Sequence, residues 1–144
     1  MSLTDDEGEV RDVDFPVSVT FVLEGCRLSD SGRFEESIMW FDKALEFDPQ
    51  NGGAFLSKGS SLFKLGNYEK AMGCFDKALE FDPQNKNALS RKGELLFKQY
   101  EYEEALVCFD KVLEIDPENE FYPENKDILN KKNLCVEELR KKKN

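Results

Sequence analysis

Apolar residues in this chain recur at helical spacing, and the whole pattern returns at a fixed interval. The stretch Phe41–Asn51 reappears unchanged at Phe75–Asn85, 34 residues later, and with three substitutions at Phe109–Asn119, another 34 residues on. Apolar positions three and four apart predict amphipathic helices, and a fixed period of this length is typical of repeat architectures. The sequence therefore predicts stacked copies of one helical unit.

Each unit is predicted to contain two helices joined by a short turn. In the second unit, the pattern predicts helices over about 53–65 and 68–81, separated by Gly66 and Asn67. An Asp-Pro pair ends the second helix, because proline cannot continue a helix. Asn51 is placed to cap the helix that follows.

The third unit departs from this plan at its turn. Tyr100 and Glu101 stand where the second unit has Gly66 and Asn67. Glycine adopts left-handed backbone conformations at little cost, whereas tyrosine does not. A more strained or differently shaped turn is therefore expected at Tyr100.

Small residues recur where the two helices of a unit are expected to cross closely. Glycine occupies the same place in the first helix of each unit, at a cost of about 1 kcal/mol relative to alanine. We expect these glycines to face a small residue of the second helix, with large aromatic side chains filling the core nearby. The glycines are Gly25, Gly59 and Gly93, the facing residues are Ser37, Ala71 and Ala105, and the core aromatics are Phe41, Phe75 and Phe109.

The period defines the domain organisation. Residues 17–144 are predicted to form one domain, with repeats over about 18–51, 52–85 and 86–119. After Pro117 the period fails, and an amphipathic helix over about 125–142 is predicted to cap the stack.

Residues 1–16 carry six acidic residues and one arginine. Such a segment buries little apolar surface, which predicts a mobile acidic arm. It is interpreted either as a solubilising tail or as an arm that visits a basic site on its own domain.

Composition excludes several kinds of function. The chain of 144 residues has a net charge of -10, which disfavours nucleic acid as a partner. It has no histidine, the commonest general base and metal ligand, and we expect no metal site, no cofactor and no enzymatic activity. Its four cysteines form no C-x-x-C pair and suit a reducing compartment, so a cytoplasmic location is expected. No apolar run is long enough to span a membrane.

These motifs resemble the tetratricopeptide repeat (TPR), a helix–turn–helix of 34 residues. The second unit shows the family pattern as Phe55, Lys58-Gly59, Leu62, Ala71, Phe75 and Pro83, and the other two units match it at the same spacings. Lysine or glutamate stands before the glycine, where the family has leucine. The resemblance implies an all-α, right-handed α-solenoid of three repeats with a C-terminal capping helix.

The resemblance also implies a concave groove, lined by the first helix of each repeat, that receives an extended peptide or a helix of a partner protein. The partner itself is unknown. Carried onto this sequence, the groove comprises Val19, Val22, Cys26, Leu56, Ser57, Ser60, Phe63, Lys64, Asn87, Ser90, Arg91, Glu94, Phe97 and Lys98.

One subgroup of the family holds the C-terminal carboxylate of chaperone tails with a clamp of lysines, asparagines and an arginine. Of the five corresponding positions here, only Arg91 matches. The resemblance therefore disfavours a chaperone-tail receptor of that kind. The other four positions hold Val22, Cys26, Ser57 and Asn87.

Two hypotheses follow. The first is an adaptor, or scaffold, that binds a short segment with apolar side chains and one acidic group, using Lys64, Arg91 and Lys98 for the acid. Its phenylalanines, Phe63 and Phe97, are either binding residues or inter-helix packing, and its cations are either binding residues or solvated. The second hypothesis is self-assembly through the solenoid ends or the acidic arm.

Overall fold

The computed structural model describes residues 16–115 and 123–143, and these residues form seven α-helices. The predicted acidic arm, apart from Pro16, and most of the segment before the last helix lie outside the described residues. The helices are α1 (Val17–Asp30), α2 (Phe34–Phe47), α3 (Gly52–Lys64), α4 (Tyr68–Phe81), α5 (Lys86–Lys98), α6 (Tyr102–Ile115) and α7 (Pro123–Lys143).

Each helix packs against the next one, so that α1–α6 form three hairpins and α7 covers the last of them. The first helices of the hairpins also contact one another in succession, α1 with α3 and α3 with α5, and α5 then contacts α7. These four helices make one layer, and α2, α4 and α6 make the other. The predicted all-α solenoid of three repeats with a capping helix is confirmed.

The core of each hairpin is a phenylalanine ring packed on a glycine. Phe41, Phe75 and Phe109 are at most 1% exposed. A Cβ added to Gly59 would lie 2.7 Å from the Phe75 ring, and Gly25 and Gly93 meet the equivalent rings as closely. A larger side chain would displace the ring, so the recurrent glycine is explained. The ring is the nearest group to each glycine, and the expectation that a small residue of the second helix also faces it stays a prediction.

The small residues of the second helices serve a different contact. Ser37 is fully buried, and its Oγ lies 2.9 Å from Oγ of Ser61 in the next hairpin. One period later, Ala71 is fully buried in the same apolar cluster as Leu95. These positions therefore pack one repeat against the next, and Ala71 shares its cluster with Leu62 of its own repeat as well.

The turns follow the predicted chemistry. Gly32 and Gly66 have φ angles of 80° and 82°, and Tyr100 at the same place in the third turn has a φ of 62°. The strained third turn is therefore confirmed. Asn51 and Asn67 cap the helices that follow them, each accepting a hydrogen bond from a backbone N–H three residues on.

Ion pairs cross every junction between neighbouring units. In α3 and α5, the lysine that precedes the recurrent glycine forms an ion pair with an aspartate of the preceding hairpin. A lysine of α7 forms the same kind of pair at the last junction. Partial burial lowers the pKa of Lys92, but its hydrogen bond to Asp76 and the charge of that carboxylate outweigh the burial and raise it overall. The pairs are Lys58–Asp42 at 2.6 Å, Lys92–Asp76 at 2.7 Å and Lys132–Asp110 at 2.7 Å.

Candidate functional site

The predicted groove residues all lie on α1, α3 and α5, the layer of first helices. None of these fourteen side chains is buried, which is the condition for contact with a partner. Accessibility alone does not identify a binding site. The cavities in this layer indicate which of the fourteen residues lie close enough together to contact one ligand.

A cavity of about 460 Å³, the central cavity, lies across the three first helices. It brings together half of the predicted groove residues, drawn from all three repeats. Its other lining residues are Ser29, Asp30, Phe34 and Phe41. The predicted residues that line it are Cys26 from α1, Leu56, Ser57, Ser60 and Lys64 from α3, and Asn87 and Arg91 from α5.

A polar network holds one side of this cavity together. The Ser37 hydroxyl donates to the carbonyl of Phe34 at 2.7 Å and lies 2.9 Å from Ser61 Oγ. Ser61 Oγ in turn lies 3.3 Å from Oγ of Ser29, which lines the cavity. The three hydroxyls connect α1, α2 and α3 and so set the width of the cavity between the first two repeats. Sequence reasoning noted Ser37 as a substitution but did not predict this network.

The cations of the central cavity are accessible. Lys64 is exposed and has no ion-pair partner among residues 16–115 and 123–143. Arg91 is exposed and lies 3.4 Å from Glu94 one helical turn away, a weak pair in water. Both side chains are therefore free to meet an acidic group that enters the cavity.

A second cavity, of about 500 Å³, lies between α5, α6 and α7. It holds three of the predicted groove residues, Glu94, Phe97 and Lys98, so that Lys98 is separated from the other two predicted cations. Glu94 is bound by Lys131 of the capping helix at 2.7 Å. Partial burial lowers the pKa of Lys131, but hydrogen bonds to Asp127 and Glu94 raise it overall. Sequence reasoning missed Lys131, because the capping helix does not follow the period.

The two predicted aromatic residues are both packed and accessible. The Phe63 ring lies 5.4 Å from the Tyr68 ring, and the Phe97 ring lies 5.3 Å from the Tyr102 ring, measured between centroids. Each ring thus contacts the first residue of the next helix and remains partly exposed. Nζ of Lys98 also lies 5.8 Å from the centroid of the Phe63 ring. Phe63 and the remaining predicted residues, Val19, Val22 and Ser90, line neither of the two cavities.

The three buried cysteines are unsuited to nucleophilic chemistry. Burial raises the pKa of the Cys74 and Cys108 thiols, and it raises the pKa of Cys135 to about 11. Neutral thiols are poor nucleophiles. Within the described part of the chain, no group of three or more histidine, cysteine, aspartate or glutamate residues is arranged to hold a metal ion. Across those same residues, no helix is long and apolar enough to cross a membrane.

A family model described as anaphase-promoting complex, cyclosome, subunit 3, matches residues 30–112, more than half of the chain. The chain belongs to this family. The match runs from the end of α1 into α6, over most of the residues that carry the 34-residue period, and the chain is a TPR protein. No curated protein sequence matches it.

Solved TPR structures share the fold. The first TPR of Spaghetti (RPAP3), bound to the HSP90 peptide SRMEEVD, aligns with a TM-score of 0.80 at 23% identity, over 89% of this chain and 97% of that chain. The TPR domain of Arabidopsis OM64 aligns with a TM-score of 0.75 at 18% identity, over 83% and 93% of the two chains. The TPR2B domain of yeast Sti1, in complex with pHsp70, aligns with a TM-score of 0.76 at 20% identity, over 83% and 96%.

Proposed function

We propose that this TPR protein is a non-catalytic adaptor whose central cavity binds a short extended segment of a partner protein. The segment carries apolar side chains and at least one acidic group. The observation that carries this proposal is the meeting of Leu56, Lys64 and Arg91 from two repeats in one open cavity. Accessible cations stand out in a chain with a net charge of -10, and they favour an acidic ligand.

The solved relatives support this class of ligand. The HSP90 peptide bound by the TPR of Spaghetti contains two glutamates and an aspartate together with methionine and valine. It therefore combines acidic and apolar side chains in one short segment. The resemblance to the TPR family implies that such a segment binds in extended form along the layer of first helices.

The chain differs from a carboxylate clamp, and the difference shapes the proposal. Of the five clamp positions, Arg91 alone carries the expected side chain; Val22 lies outside the central cavity, and Cys26 and Ser57 are 3.9 Å apart within it. The other four clamp positions hold no cation, and the second cation of the cavity, Lys64, lies at none of the clamp positions. We therefore infer that the partner's acidic group is a side chain within the segment. Peptides with a free or an amidated C-terminus are then expected to bind alike.

Charge reversal in the central cavity tests the proposal. Peptide arrays with acidic and apolar residues identify a binding sequence, and fluorescence anisotropy measures its affinity for the full chain. The double variant Lys64→Glu and Arg91→Glu should weaken binding at least roughly tenfold, because charge-assisted hydrogen bonds are lost and repulsion replaces them.

The matched control reverses Lys70 and Lys111, two exposed lysines on the second helices α4 and α6. This control makes the same change in net charge outside the cavity, so it should bind like the wild type. Equal binding by the Lys64/Arg91 variant and the wild type would reject the central cavity as the site. Equal weakening by both double variants would mean that net charge, and not the cavity, attracts the peptide.

We further propose that the protein acts in the cytoplasm, because its four cysteines are unpaired and suit a reducing compartment. Self-assembly through the solenoid ends is the alternative function. It makes a separate prediction for the N-terminal end of the stack.

A further inference from the structure

Tyr100 is unusual among the described residues, because it is the one residue other than glycine with a positive φ angle there. Tyr100 lies in the turn between α5 and α6 and has a φ of 62°. Gly66 and Gly32 stand one and two periods earlier, at the same place in their turns, with φ angles of 82° and 80°. The third turn thus keeps the left-handed geometry of the other two but builds it with a tyrosine.

This tyrosine is unfavourable for the fold. A left-handed backbone brings the Cβ of an L-residue too close to the following carbonyl oxygen, and glycine avoids this clash. Burial does not compensate, because the Tyr100 side chain is 72% exposed. Its ring meets the edge of the Tyr102 ring at a centroid distance of 6.2 Å. Strained residues that folding does not require are concentrated at functional sites.

The Tyr100 ring stands at the edge of the second cavity, which we now call the Tyr100 pocket. The pocket has a volume of about 500 Å³, within the range of ligand sites. Phe97 of α5 and Tyr102 of α6 form its aromatic wall, and Leu134 of α7, 48% exposed, lies opposite. The capping helix therefore contributes one side of the pocket as well as closing the stack.

Cations border this aromatic wall. Lys98 lines the pocket, and Nζ of Lys142 lies 5.8 Å from the centroid of the Tyr102 ring. Neither lysine has a carboxylate partner among the residues that the structure describes. The pocket's own carboxylate, Glu94, is neutralised by Lys131 at 2.7 Å. An aromatic wall with unpaired cations beside it suits a ligand that is both aromatic and acidic.

We propose that the Tyr100 pocket binds an aromatic side chain of a partner segment, followed closely by a carboxylate side chain. The aromatic ring would pack edge-to-face against Tyr100 and Phe97, and the carboxylate would meet Lys98 and Lys142. This inference rests on the proposed function, because the pocket continues the layer of first helices beyond the central cavity. It adds a side-chain class and a second subsite to that function.

The test uses the full chain and three fluorescein-labelled synthetic peptides that share a leucine and an aspartate for the central cavity. The first peptide carries phenylalanine followed by glutamate, the second has alanine in place of the phenylalanine, and the third has glutamine in place of the glutamate. Anisotropy should show that the wild type binds the first peptide roughly five- to tenfold more tightly than the second. It should also bind the first more tightly than the third.

The decisive variant is Tyr100→Gly, which installs the residue of the other two turns. It should lose the preference for phenylalanine while its thermal midpoint stays equal or rises, because the turn is relieved of strain. A tyrosine with a merely structural role would give a lower midpoint and an unchanged preference. Tyr100→Asn repeats the test with a residue that tolerates the left-handed conformation. Val107→Ala, which trims an exposed side chain outside the pocket, is the matched control.

Three outcomes overturn the inference. If Tyr100→Gly and Tyr100→Asn still prefer phenylalanine, the pocket is not the subsite; the proposed function stands if the Lys64→Glu and Arg91→Glu variant nevertheless loses binding. If both tyrosine variants unfold at a lower temperature with their preference intact, Tyr100 is structural. If the wild type binds none of the three peptides, the pocket and the proposed function fail together.

Discussion

The two ends of the solenoid are closed in different ways. At the C-terminal end, helix α7 packs on α6 and buries Ile128 and Cys135, which are 5% and 0% exposed. At the N-terminal end, no helix of the described residues covers the outer side of α1. There Trp40 packs against Phe21 at a centroid distance of 5.5 Å, and Leu23 beside it is 60% exposed.

Trp40 stands where the inner repeats have buried cysteines. Cys74 and Cys108 lie one and two periods later, and Cys108 sits beside Leu79 and Pro83 of the preceding hairpin. The first repeat has no preceding hairpin in the described structure, and a large indole fills part of that space. A terminal repeat must shield its outer face. Among the described residues, a whole helix does so at one end and one large side chain does so at the other.

Charge also distinguishes the ends. At the inner junctions a lysine of each first helix reaches an aspartate of the preceding hairpin. The first repeat has Glu24 at that place, and this glutamate binds Arg27 of its own helix at 2.6 Å. A unit stacked on this end would bring an aspartate towards a glutamate. The N-terminal end is therefore built to discourage further stacking.

The largest expected difference between the ends is in stability. Ile128→Ala removes a buried side chain from the α6–α7 interface and should lower the free energy of unfolding by about 2–4 kcal/mol. Leu23→Ala, the matched truncation at the N-terminal end, should change it by less than about 0.5 kcal/mol, because that side chain is already in water. Urea unfolding followed by circular dichroism measures both. Similar losses for the two variants would mean that the N-terminal face is covered in solution.

Much of the fold could be predicted from the sequence, because it depends on local chemistry or on the period. Asn51 as a helix cap and Gly66 in a left-handed turn follow from side-chain and backbone preferences of single residues. The helices follow from apolar spacing. The strained turn at Tyr100 followed from comparing it with the residue one period earlier.

Contacts between elements were harder to predict. The period aligns Gly59, Ala71 and Phe75 with their counterparts in the other units, but it does not show whether Ala71 or Phe75 lies nearer to Gly59. The rotation of α4 about its axis places the Phe75 ring nearest to this glycine. Lys58 and Asp42 both recur with the period, so the sequence showed that the two positions are related. Their contact depends on the angle between repeats, which the sequence does not give.

The candidate site was predicted in part for the same reasons. Two pairs of the residues that line the central cavity sit at equivalent places in successive first helices, Cys26 with Ser60 and Ser57 with Arg91. Lys98 was grouped with Lys64 and Arg91, but the structure places it in the Tyr100 pocket. That pocket depends on α7, whose sequence breaks the period, so Lys131 had no counterpart from which to infer its role.

The next largest difference between the ends is in their response to alkali. Burial raises the pKa of Cys135 from 9.0 to about 11, so the folded protein keeps this thiol neutral while the unfolded chain ionises it. Its contribution to stability is complete below pH 9 and is lost as the pH rises to about 11. The loss should be roughly 1–2 kcal/mol beyond that of a Cys135→Ala variant. Unfolding at pH 8 and pH 11 measures it.

The matched control for this prediction is Cys26→Ala, which removes the half-buried cysteine of α1 at the other end. It should keep the alkaline loss of the wild type. If Cys135→Ala loses as much stability as the wild type between pH 8 and pH 11, the capping helix does not hold this thiol in an apolar site.

The smallest expected effect concerns self-association, and it decides between the two functions. Glu24→Lys gives the first repeat the lysine of the inner junctions, but the last hairpin of a second copy is covered by its own α7, and its Asp110 is held by Lys132 of that helix at 2.7 Å. Association should therefore strengthen by no more than about fivefold, the scale of an exposed ion pair. Sedimentation velocity over a concentration series measures it, with Glu24→Gln as the control that removes charge without adding a cation. If the wild type already assembles and Glu24→Lys weakens that assembly, the N-terminal end is an interface, and self-assembly is favoured over peptide binding in the central cavity.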